Sequence, residues 1–229
     1  MPEGIKVQGM FSKIASRYDL VNRILSLGLC IGWRNRLIVK AHELKPQKLA
    51  DLATGSGDVA FALRESLPAT CEITGYDFCE PMLDLARARA LREKVTLNFS
   101  TGDCMKLPIA DQALDVVTIA YGVRNFENRP QGLQELHRIL RPGGSVLILE
   151  FSQPQTWFKP FHFLYVQCIS PILAGLLTGD FQAYRYLGTS IGNFPNAAGL
   201  TDELKAAGFS KVSCETMVFG TVALHIAQR

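Results

Sequence analysis

The stretch that decides the fold is Lys48-Leu-Ala-Asp-Leu-Ala-Thr-Gly-Ser-Gly-Asp58. Its apolar beginning predicts a short buried strand that ends in a glycine turn. Gly55 and Gly57 lack Cβ atoms, so the backbone can turn tightly there and a ligand can approach it closely. Counted on to Ala60, the run also fits the dinucleotide-binding pattern G-x-G-x-x-G/A, so the glycines alone leave the class of ligand open.

The two carboxylates of this stretch favour a cationic ligand. A diphosphate bound at such a turn requires bare amides and the positive end of a helix. Asp51 and Asp58 place negative charge there instead, which repels a diphosphate and attracts a cation. S-adenosylmethionine carries an ammonium and a sulfonium group. The turn therefore favours S-adenosylmethionine over NAD, with Asp51, Gly55 and Gly57 as cofactor-binding residues.

Size and composition indicate one globular domain that covers residues 1–229. Apolar residues make up 48% of the chain and charged residues 20%, which is ordinary for a protein with a substantial core. The net charge is only +3, so we predict no nucleic-acid partner. Positive charge is concentrated in residues 1–50, which hold nine Lys or Arg against three acidic residues. A solvated helix face explains this concentration, and attraction to an anionic membrane surface is the alternative.

The cysteines and histidines indicate no metal site. The six cysteines include no C-x-x-C pair, and the four histidines lack the spacing of metal ligands. Scattered cysteines are typical of a reducing compartment. The N-terminus has no apolar signal core, and Lys159, His162 and two prolines interrupt the longest apolar region, residues 157–177, so we do not expect it to span a bilayer. We expect a cytoplasmic protein, with peripheral contact with the inner membrane surface as an option.

The periodicity of the apolar residues changes along the chain. Residues 10–41 show a helical stripe, which we expect Gly28 and Gly32 to break. From residue 48 on, short apolar runs alternate with helical segments, as in βαβ units. The predicted helices of this part are Asp58–Ser66, Pro81–Ala90, Pro130–Leu140 and Thr201–Gly208. The predicted strands are Lys48–Ala53, Glu72–Asp77, Val95–Ser100, Leu114–Ala120, Ser145–Glu150, Lys211–Val218 and Thr221–Ala227.

These elements predict an α/β fold with a seven-stranded, doubly wound sheet. We expect the last two strands to form an antiparallel pair. Residues 1–45 would form an N-terminal helical cap, residues 46–229 a Rossmann-like core, and residues 152–200 an insertion on the substrate side.

Polar residues follow several of the predicted strands, where ligands bind in an open α/β sheet. Asp77 ends the second strand and can accept hydrogen bonds from both hydroxyls of a ribose; the alternative is a helix N-cap. Asp103 follows the third strand and can accept from an adenine amino group, unless it only closes an Asx turn. The fourth strand is followed by Tyr121, Arg124 and Asn125 at the expected substrate mouth, where a surface ion pair is the alternative for Arg124.

Four segments together resemble one known family, the ubiquinone/menaquinone biosynthesis C-methyltransferases. Tyr18-Asp-Leu-Val-Asn-Arg-Ile-Leu-Ser-Leu-Gly-Leu-Cys-Ile-Gly-Trp33 is similar to the first signature of that family, and Arg138-Ile-Leu-Arg-Pro-Gly-Gly-Ser-Val-Leu-Ile-Leu-Glu-Phe-Ser152 to the second. Gly122-Val-Arg-Asn125 resembles its G-[LIV]-R-N, and Tyr184-Arg-Tyr-Leu-Gly-Thr-Ser-Ile191 its Y-x-Y-L-x-x-S-I. The likeness covers about residues 10–227, and four motifs in order are far more specific than a glycine turn.

The resemblance implies an activity and a set of cofactor positions. The family carries out S-adenosylmethionine-dependent C-methylation of demethylmenaquinol and, in many bacteria, also of a polyprenyl methoxybenzoquinol. Its cofactor positions fall on Ser56, Asp77, Asp103, Cys104 and Ala120. The chain departs from the first signature at two positions, with Val21 in place of methionine and Cys30 in place of histidine. The cysteine removes a titratable imidazole, which puts any acid–base role of that position in doubt.

Carbon methylation of this kind requires an electron-rich ring, hence the reduced quinol and best its quinolate. The enzyme must align the reactants, exclude water and stabilise the ring oxyanion. We expect Arg124 to stabilise the oxyanion, with Asn125 beside it; Arg124 cannot be the base, because guanidinium keeps its proton in proteins. Tyr18, Asp19 or a water that they hold would relay the proton, although Tyr18 also fits a packing role on the apolar helix stripe.

Two questions stay open at this level. The apolar residues near 158–176 fit either a groove for a polyprenyl tail or a helix packed on the sheet. The acceptor is either a naphthoquinol or a benzoquinol. Two other classes of protein fit less well: an oxidoreductase would need a Tyr-x-x-x-Lys or an equivalent hydride site, and a non-catalytic scaffold of the same fold would not need Gly122-Val-Arg-Asn125 at its mouth.

Overall fold

The computed structural model describes residues 18–178 and 181–229, apart from the side chains of residues 18–20, 22, 178 and 181–184. Seven strands form one sheet in the order β3-β2-β1-β4-β5-β7-β6. The first five are parallel, and β7 is antiparallel to both β5 and β6. The predicted doubly wound sheet with its C-terminal antiparallel pair is confirmed. The strands are β1 (Lys48–Leu52), β2 (Glu72–Asp77), β3 (Asn98–Thr101), β4 (Leu114–Ala120), β5 (Leu140–Phe151), β6 (Lys211–Met217) and β7 (Val222–Gln228).

Helices cover both faces of the sheet. Within residues 18–178 and 181–229, two helices precede the sheet, as expected, and four lie between β5 and β6. A π-helical turn, Tyr165–Ile169, joins the first two of these four. The helices are α1 (Tyr18–Leu25), α2 (Leu29–Glu43), α3 (Asp58–Ser66), α4 (Glu80–Glu93), α5 (Arg129–Ile139), α6 (Lys159–Leu164), α7 (Ser170–Thr178), α8 (Phe181–Gly192) and α9 (Ala197–Ala206).

The core lies on both faces of the sheet, because successive strand residues point to opposite sides. On one face, Ala50 and Leu52 of β1 pack with residues of α5 and α9. On the other face, Leu49 of the same strand packs with α2 and α3, including Leu37 and Leu63. Both layers bury their apolar side chains almost completely. The central strands β1, β4 and β5 are therefore fixed from two sides, which holds their carboxyl ends in place.

Several predicted boundaries were wrong, each for a local reason. Gly28 does separate α1 from α2, with φ +78, but Gly32 lies inside α2 and does not break it. Strand β3 begins at Asn98 rather than Val95, because α4 runs on to Glu93 and Lys94 then takes a left-handed conformation. Helix α9 begins at Ala197 rather than Thr201, since the Asn196 side chain accepts a hydrogen bond from Gly199 N (2.8 Å) and caps it.

The apolar region 157–177 forms a continuous helix from Lys159 to Leu177, which includes α6, the π-helical turn and most of α7. The predicted interruption by Lys159 and the prolines was wrong. By length and composition alone this helix is long and apolar enough to cross a bilayer. Only 28% of its most apolar 18 residues are buried inside the protein. Many of its large apolar side chains are therefore exposed.

Candidate functional site

The carboxyl ends of β1 and β4 meet at the point where the strand order reverses, which is where ligands bind in this class of sheet. The backbone after β1 turns through left-handed conformations at Ala53, Gly55 and Gly57. Gly122, after β4, approaches this turn so closely that a Cβ there would lie 2.6 Å from the Cβ of Ala53. Only glycine allows the two strand ends to come this close.

A cavity of about 150 Å³ opens at this point, and we refer to it as the polar cavity. It lies beyond the ends of β1, β2 and β4 and is bordered by the loop after β3. Most of the residues predicted from the sequence to bind the cofactor line it, together with Asn125. Gly57 does not; it is the N-cap of α3, behind the turn. The predicted residues that line the polar cavity are Asp51, Gly55, Ser56, Asp77, Asp103, Cys104, Ala120 and Asn125.

Asp51 is buried beneath the glycine turn. Its two carboxylate oxygens accept hydrogen bonds from the hydroxyls of Thr54 (2.6 Å) and Thr118 (2.7 Å). Burial raises the pKa of Asp51 from 3.8 to about 7, the two threonines oppose this rise, and the negative charge of Asp77 adds to it. Near neutral pH the carboxyl therefore loses its proton readily when a cation enters the cavity.

Asp77 ties the end of β2 to the glycine turn. One carboxylate oxygen accepts from Gly55 N (2.8 Å), and the other accepts from Cys79 N (2.8 Å). Burial raises the pKa of Asp77, and these backbone hydrogen bonds oppose the rise. The helix N-cap of α4 is Cys79, so Asp77 is not the cap that the alternative interpretation requires. A third backbone hydrogen bond comes from Phe78, and since a carboxylate has about four lone-pair sites, Asp77 can still accept from a ligand.

Asp103 combines both interpretations made from the sequence. Its Oδ1 accepts from Met105 N (2.9 Å), which closes an Asx turn, and its side chain lines the polar cavity. The neighbouring Cys104 is buried at the base of the cavity, and burial raises the pKa of its thiol. A neutral thiol and a carboxylate at adjacent positions can border a flat, polar group such as a purine.

The prediction that the negative charge of Asp58 attracts a cationic ligand was wrong. Asp58 lines the polar cavity, but its carboxylate forms ion pairs with Arg34 of α2 and Arg89 of α4, the latter at 2.9 Å. Two arginines balance this charge locally. The attraction for a cation therefore rests on Asp51 and Asp77, and the preference for S-adenosylmethionine over a diphosphate does not follow from Asp58.

A second cavity, about 310 Å³ and mainly apolar, lies beside the first between α1, α2, β5 and α6. We refer to it as the apolar cavity. Phe151, Phe158, Phe161 and Tyr165 are among its walls. Of the two interpretations of region 158–176, the groove fits Phe158, Phe161 and Tyr165, whereas Phe163, Leu164, Ile172 and Leu176 are exposed.

Arg124 lines the apolar cavity, not the polar one. Its guanidinium pairs with Glu150 of β5 (Nη1 to Oε1, 2.8 Å), and both side chains are at most 2% exposed. The same Nη1 donates to the carbonyl oxygen of Tyr121. The guanidinium carbon lies 5.3 Å from the centre of the Phe151 ring. The alternative of a surface ion pair was wrong, because this pair is buried.

Asn125 is held by α8. Tyr186 donates its hydroxyl hydrogen to Asn125 Oδ1 (3.0 Å), so the segment 184–191 orients a residue of segment 122–125. The side chains of Tyr18 and Asp19 lie outside the described residues, and their predicted roles stay predictions. Among residues 18–178 and 181–229, no group of three or more His, Cys, Asp or Glu is arranged to hold a metal ion.

Two features of the site were not predicted from the sequence. Cys30 and Tyr121 are the only described residues that line both cavities. We refer to the space between these two residues as the junction. Glu150 was missed as the partner of Arg124. The available signals were the departure from histidine at position 30 and the placement of Glu150 at the end of a buried strand within a family motif.

Comparison with known proteins extends these observations. A sequence profile described as the ubiE/COQ5 methyltransferase family matches residues 2–229. A demethylmenaquinone methyltransferase of Thermus thermophilus is 44% identical over 96% of this chain and 100% of its own length. A protein of Geotalea daltonii named ubiquinone/menaquinone biosynthesis C-methyltransferase UbiE is 35% identical over 99% of this chain and 97% of its own length.

Solved structures share the fold. A SAM-dependent methyltransferase of Thermotoga maritima superposes with a TM-score of 0.67 at 16% identity, over 96% of this chain and 98% of its own. Phosphoethanolamine N-methyltransferase 2 of Haemonchus contortus, in complex with S-adenosyl-L-methionine, gives a TM-score of 0.56 at 18% identity, over 75% of this chain and 35% of its own. At these identities the likeness concerns the fold alone.

Proposed function

Because the chain belongs to the ubiE/COQ5 methyltransferase family, we propose that it transfers a methyl group from S-adenosylmethionine to a ring carbon of a reduced polyprenyl quinol. The proposed acceptor is demethylmenaquinol, which becomes menaquinol. Several relatives that match nearly the whole chain at 35–44% identity carry the name demethylmenaquinone methyltransferase. The single observation that carries the proposal is the pair of cavities, one polar and one apolar, that meet at Cys30 and Tyr121.

A second acceptor has specific support. Relatives named ubiquinone/menaquinone biosynthesis C-methyltransferase match this chain at 35–38% identity. We therefore keep 2-methoxy-6-polyprenyl-1,4-benzoquinol as an alternative or additional acceptor. The walls of the apolar cavity are mostly apolar side chains, which discriminate weakly between a naphthoquinol ring and a benzoquinol ring.

The polar cavity suits the cofactor. Asp77 would accept from the ribose hydroxyls, Asp103 from the adenine amino group, and the carboxylate of Asp51 would favour the cationic end of the molecule. Gly55 lines the polar cavity and allows a close approach of the ligand to the backbone, because it has no side chain. Further cofactor-binding residues are proposed at Ser56, Cys104 and Ala120, which line the polar cavity, whereas Gly57 does not line it. When bound, S-adenosylmethionine supplies an electrophilic methyl group on its sulfonium.

The apolar cavity suits the acceptor ring. There the chain's own residues would orient the quinol, exclude water and stabilise its oxyanion. We assign the last role to Arg124, which Glu150 holds in the cavity wall. Asn125, the next residue in the chain, is proposed to assist from the polar cavity. The proton that leaves the ring carbon would pass to Tyr18, Asp19 or a water near α1.

The mouth of the apolar cavity suits a polyprenyl tail and a membrane surface. Leu27 and Phe161 line the cavity and are 85% and 64% exposed. Phe163 and Leu176 continue this exposed apolar surface along α6 and α7. Exposed apolar surface of this extent is typical of an interaction site. We propose that the protein is cytoplasmic and that this surface contacts the membrane, with the tail directed into the bilayer.

The test incubates the pure protein with methyl-labelled S-adenosylmethionine and one short-chain acceptor at a time. The acceptors are demethylmenaquinol, the methoxybenzoquinol and the oxidised form of each. We expect label in the naphthoquinol product and none with the oxidised forms. Transfer to the benzoquinol alone would make the methoxybenzoquinol, not demethylmenaquinol, the acceptor. Transfer to neither would reject the proposed function.

A further inference from the structure

Tyr121 lies between the proposed cofactor site and the proposed acceptor site. It lines both cavities, opposite Cys30. Its ring packs against Phe151, with 5.1 Å between the ring centres, and Phe151 lines only the apolar cavity. The aromatic ring of Tyr121 is therefore directed to the side where an acceptor would lie.

The backbone of Tyr121 adopts a conformation that aromatic residues avoid. Its φ is +58°, in the left-handed region, where the Cβ of an L-residue crowds the following carbonyl. Two hydrogen bonds hold this conformation: Tyr121 N donates to Leu149 O (2.8 Å), and the Tyr121 carbonyl accepts from Arg124. Strain of this kind persists at functional sites when it directs a side chain to a required place.

The hydroxyl of Tyr121 is buried and has no hydrogen-bond partner among the described residues. Two neighbouring tyrosines differ. Tyr165 donates to Leu25 O (2.5 Å) and Tyr186 donates to Asn125 Oδ1 (3.0 Å). Buried polar groups are nearly always paired, and an exception calls for an explanation. A ligand oxygen that completes the site is such an explanation.

The hydroxyl acts as a donor rather than as a base. Burial raises the pKa of Tyr121, and the nearby Cys30 and Glu150 raise it further, while Arg34 and Arg124 oppose them. The phenol therefore keeps its proton across the working pH range. A neutral phenol next to an apolar cavity pairs best with an oxygen that carries partial or full negative charge.

We infer that the Tyr121 hydroxyl donates a hydrogen bond to a ring oxygen of the acceptor and thereby positions the ring carbon at the junction. This inference rests on the proposed function. It goes beyond it by assigning a substrate-contacting residue that recognises the aryl oxygen, distinct from Arg124, which lies on the wall of the apolar cavity.

The test uses Tyr121→Phe, which removes only the hydroxyl. Tyr76→Phe on β2 is the matched control, because Tyr76 lines neither cavity. We expect Tyr121→Phe to lower kcat/KM for the reduced quinol about 10-fold or more, the scale of one lost hydrogen bond to a charged group. We expect its melting temperature to stay equal or rise, and its affinity for S-adenosylmethionine to change less than about threefold.

A second measurement separates contact from indirect effects. The wild type and Tyr121→Phe are each assayed with the quinol and with an analogue in which one ring hydroxyl is replaced by hydrogen. If the two hydroxyls touch, the variant loses the preference for the quinol, so the two changes together cost less than the product of the single effects. Multiplicative effects, a lower melting temperature, or a tenfold loss of cofactor affinity would each overturn the inference. Absence of methylation by the wild type would reject the proposed function instead.

Discussion

Arg124 and Glu150 form a buried ion pair at the wall of the apolar cavity, with 2.8 Å between Nη1 and Oε1. Glu150 also accepts from Phe151 N (2.8 Å) and from Arg124 N (3.2 Å), so its carboxylate is held by the backbone on both sides. The guanidinium cannot turn away without leaving a buried carboxylate unpaired. The pair therefore fixes a cationic donor in place before any acceptor binds, as preorganised electrostatic stabilisation requires.

The first prediction concerns Arg124→Lys. Lysine keeps the charge but lacks the planar guanidinium, whose Nη1 pairs with Glu150 and also donates to the Tyr121 carbonyl. We expect kcat to fall roughly 10²-fold or more, the scale seen when one oxyanion donor is lost. Affinity for S-adenosylmethionine, measured by calorimetry, should stay within a few fold, because Arg124 does not line the polar cavity. A kcat near that of the wild type, or a large loss of cofactor affinity, would show that Arg124 is structural.

The second prediction concerns Glu150→Gln. The amide keeps the size of the side chain but leaves the buried Arg124 charge uncompensated. We expect the free energy of unfolding to fall by about 3 kcal/mol. The matched control is Glu215→Gln, because Glu215 pairs with Arg36 on the surface, where a lost ion pair costs less than about 1 kcal/mol. Urea denaturation of both variants measures the difference, and equal losses would contradict the assigned role of burial.

The third prediction concerns Asp77→Ala. The variant loses the proposed acceptor for the ribose and also leaves Gly55 N and Cys79 N without their carboxylate. We expect S-adenosylmethionine binding to weaken by about 1–3 kcal/mol. Asp84→Ala on α4 is the control, since Asp84 is exposed and lines neither cavity. Unchanged affinity in calorimetry would remove Asp77 from the cofactor site.

The sequence predicted the strand ends well because parallel strands and glycine turns are local patterns. Asp77 and Asp103 each follow a short apolar run, and their positions in the polar cavity follow from that alone. The charge at Asp58 could not be predicted in the same way. Its partners Arg34 and Arg89 lie 24 and 31 residues away in the chain, on two different helices. Only the packing of α2 and α4 around the turn brings them to it.

The division of the site into two cavities could not be predicted from the sequence either. The motif residues Arg124 and Asn125 are neighbours in sequence, but they line different cavities. The backbone at Tyr121 is left-handed, which helps to decide the cavity that each following side chain faces. A tyrosine does not predict a left-handed conformation. Tyr121 was predicted only to lie at the mouth. Its position at the junction depends on contacts with β5, thirty residues further along the chain.

The fourth prediction concerns pH and Asp51. Burial raises the pKa of Asp51 from 3.8 to about 7, so the folded protein holds a proton that the unfolded chain releases between these values. The contribution of this proton to stability is present below about pH 4 and is lost as pH rises through 7. We expect the stability of Asp51→Asn relative to the wild type to increase from pH 5 to pH 8 by about 2–3 kcal/mol. Urea denaturation at four pH values measures this change, and a constant difference would contradict it.

The same carboxyl should link cofactor binding to pH. A bound cation favours the charged form of Asp51, so binding should release a proton near neutral pH. We expect the affinity of the wild type for S-adenosylmethionine to rise between pH 6 and pH 8, and that of Asp51→Asn to be lower and nearly constant. Calorimetry in two buffers of different ionisation enthalpy counts the released protons. Equal heats in both buffers for the wild type would show that Asp51 does not titrate on binding.

The last prediction concerns the size of the junction. Cys30 is partly exposed and lines both cavities opposite Tyr121, so a larger side chain there can be accommodated without entering the core. We expect Cys30→Phe to narrow the junction and lower kcat at least 10-fold by separating the donor from the acceptor, since small misplacements of reacting groups have large effects on rate. The melting temperature should change little. Cys214→Phe, at an exposed position on β6, is the control for adding an aromatic ring. If Cys30→Phe retained full kcat, the methyl group would not cross between Cys30 and Tyr121, and the two cavities would have to communicate elsewhere.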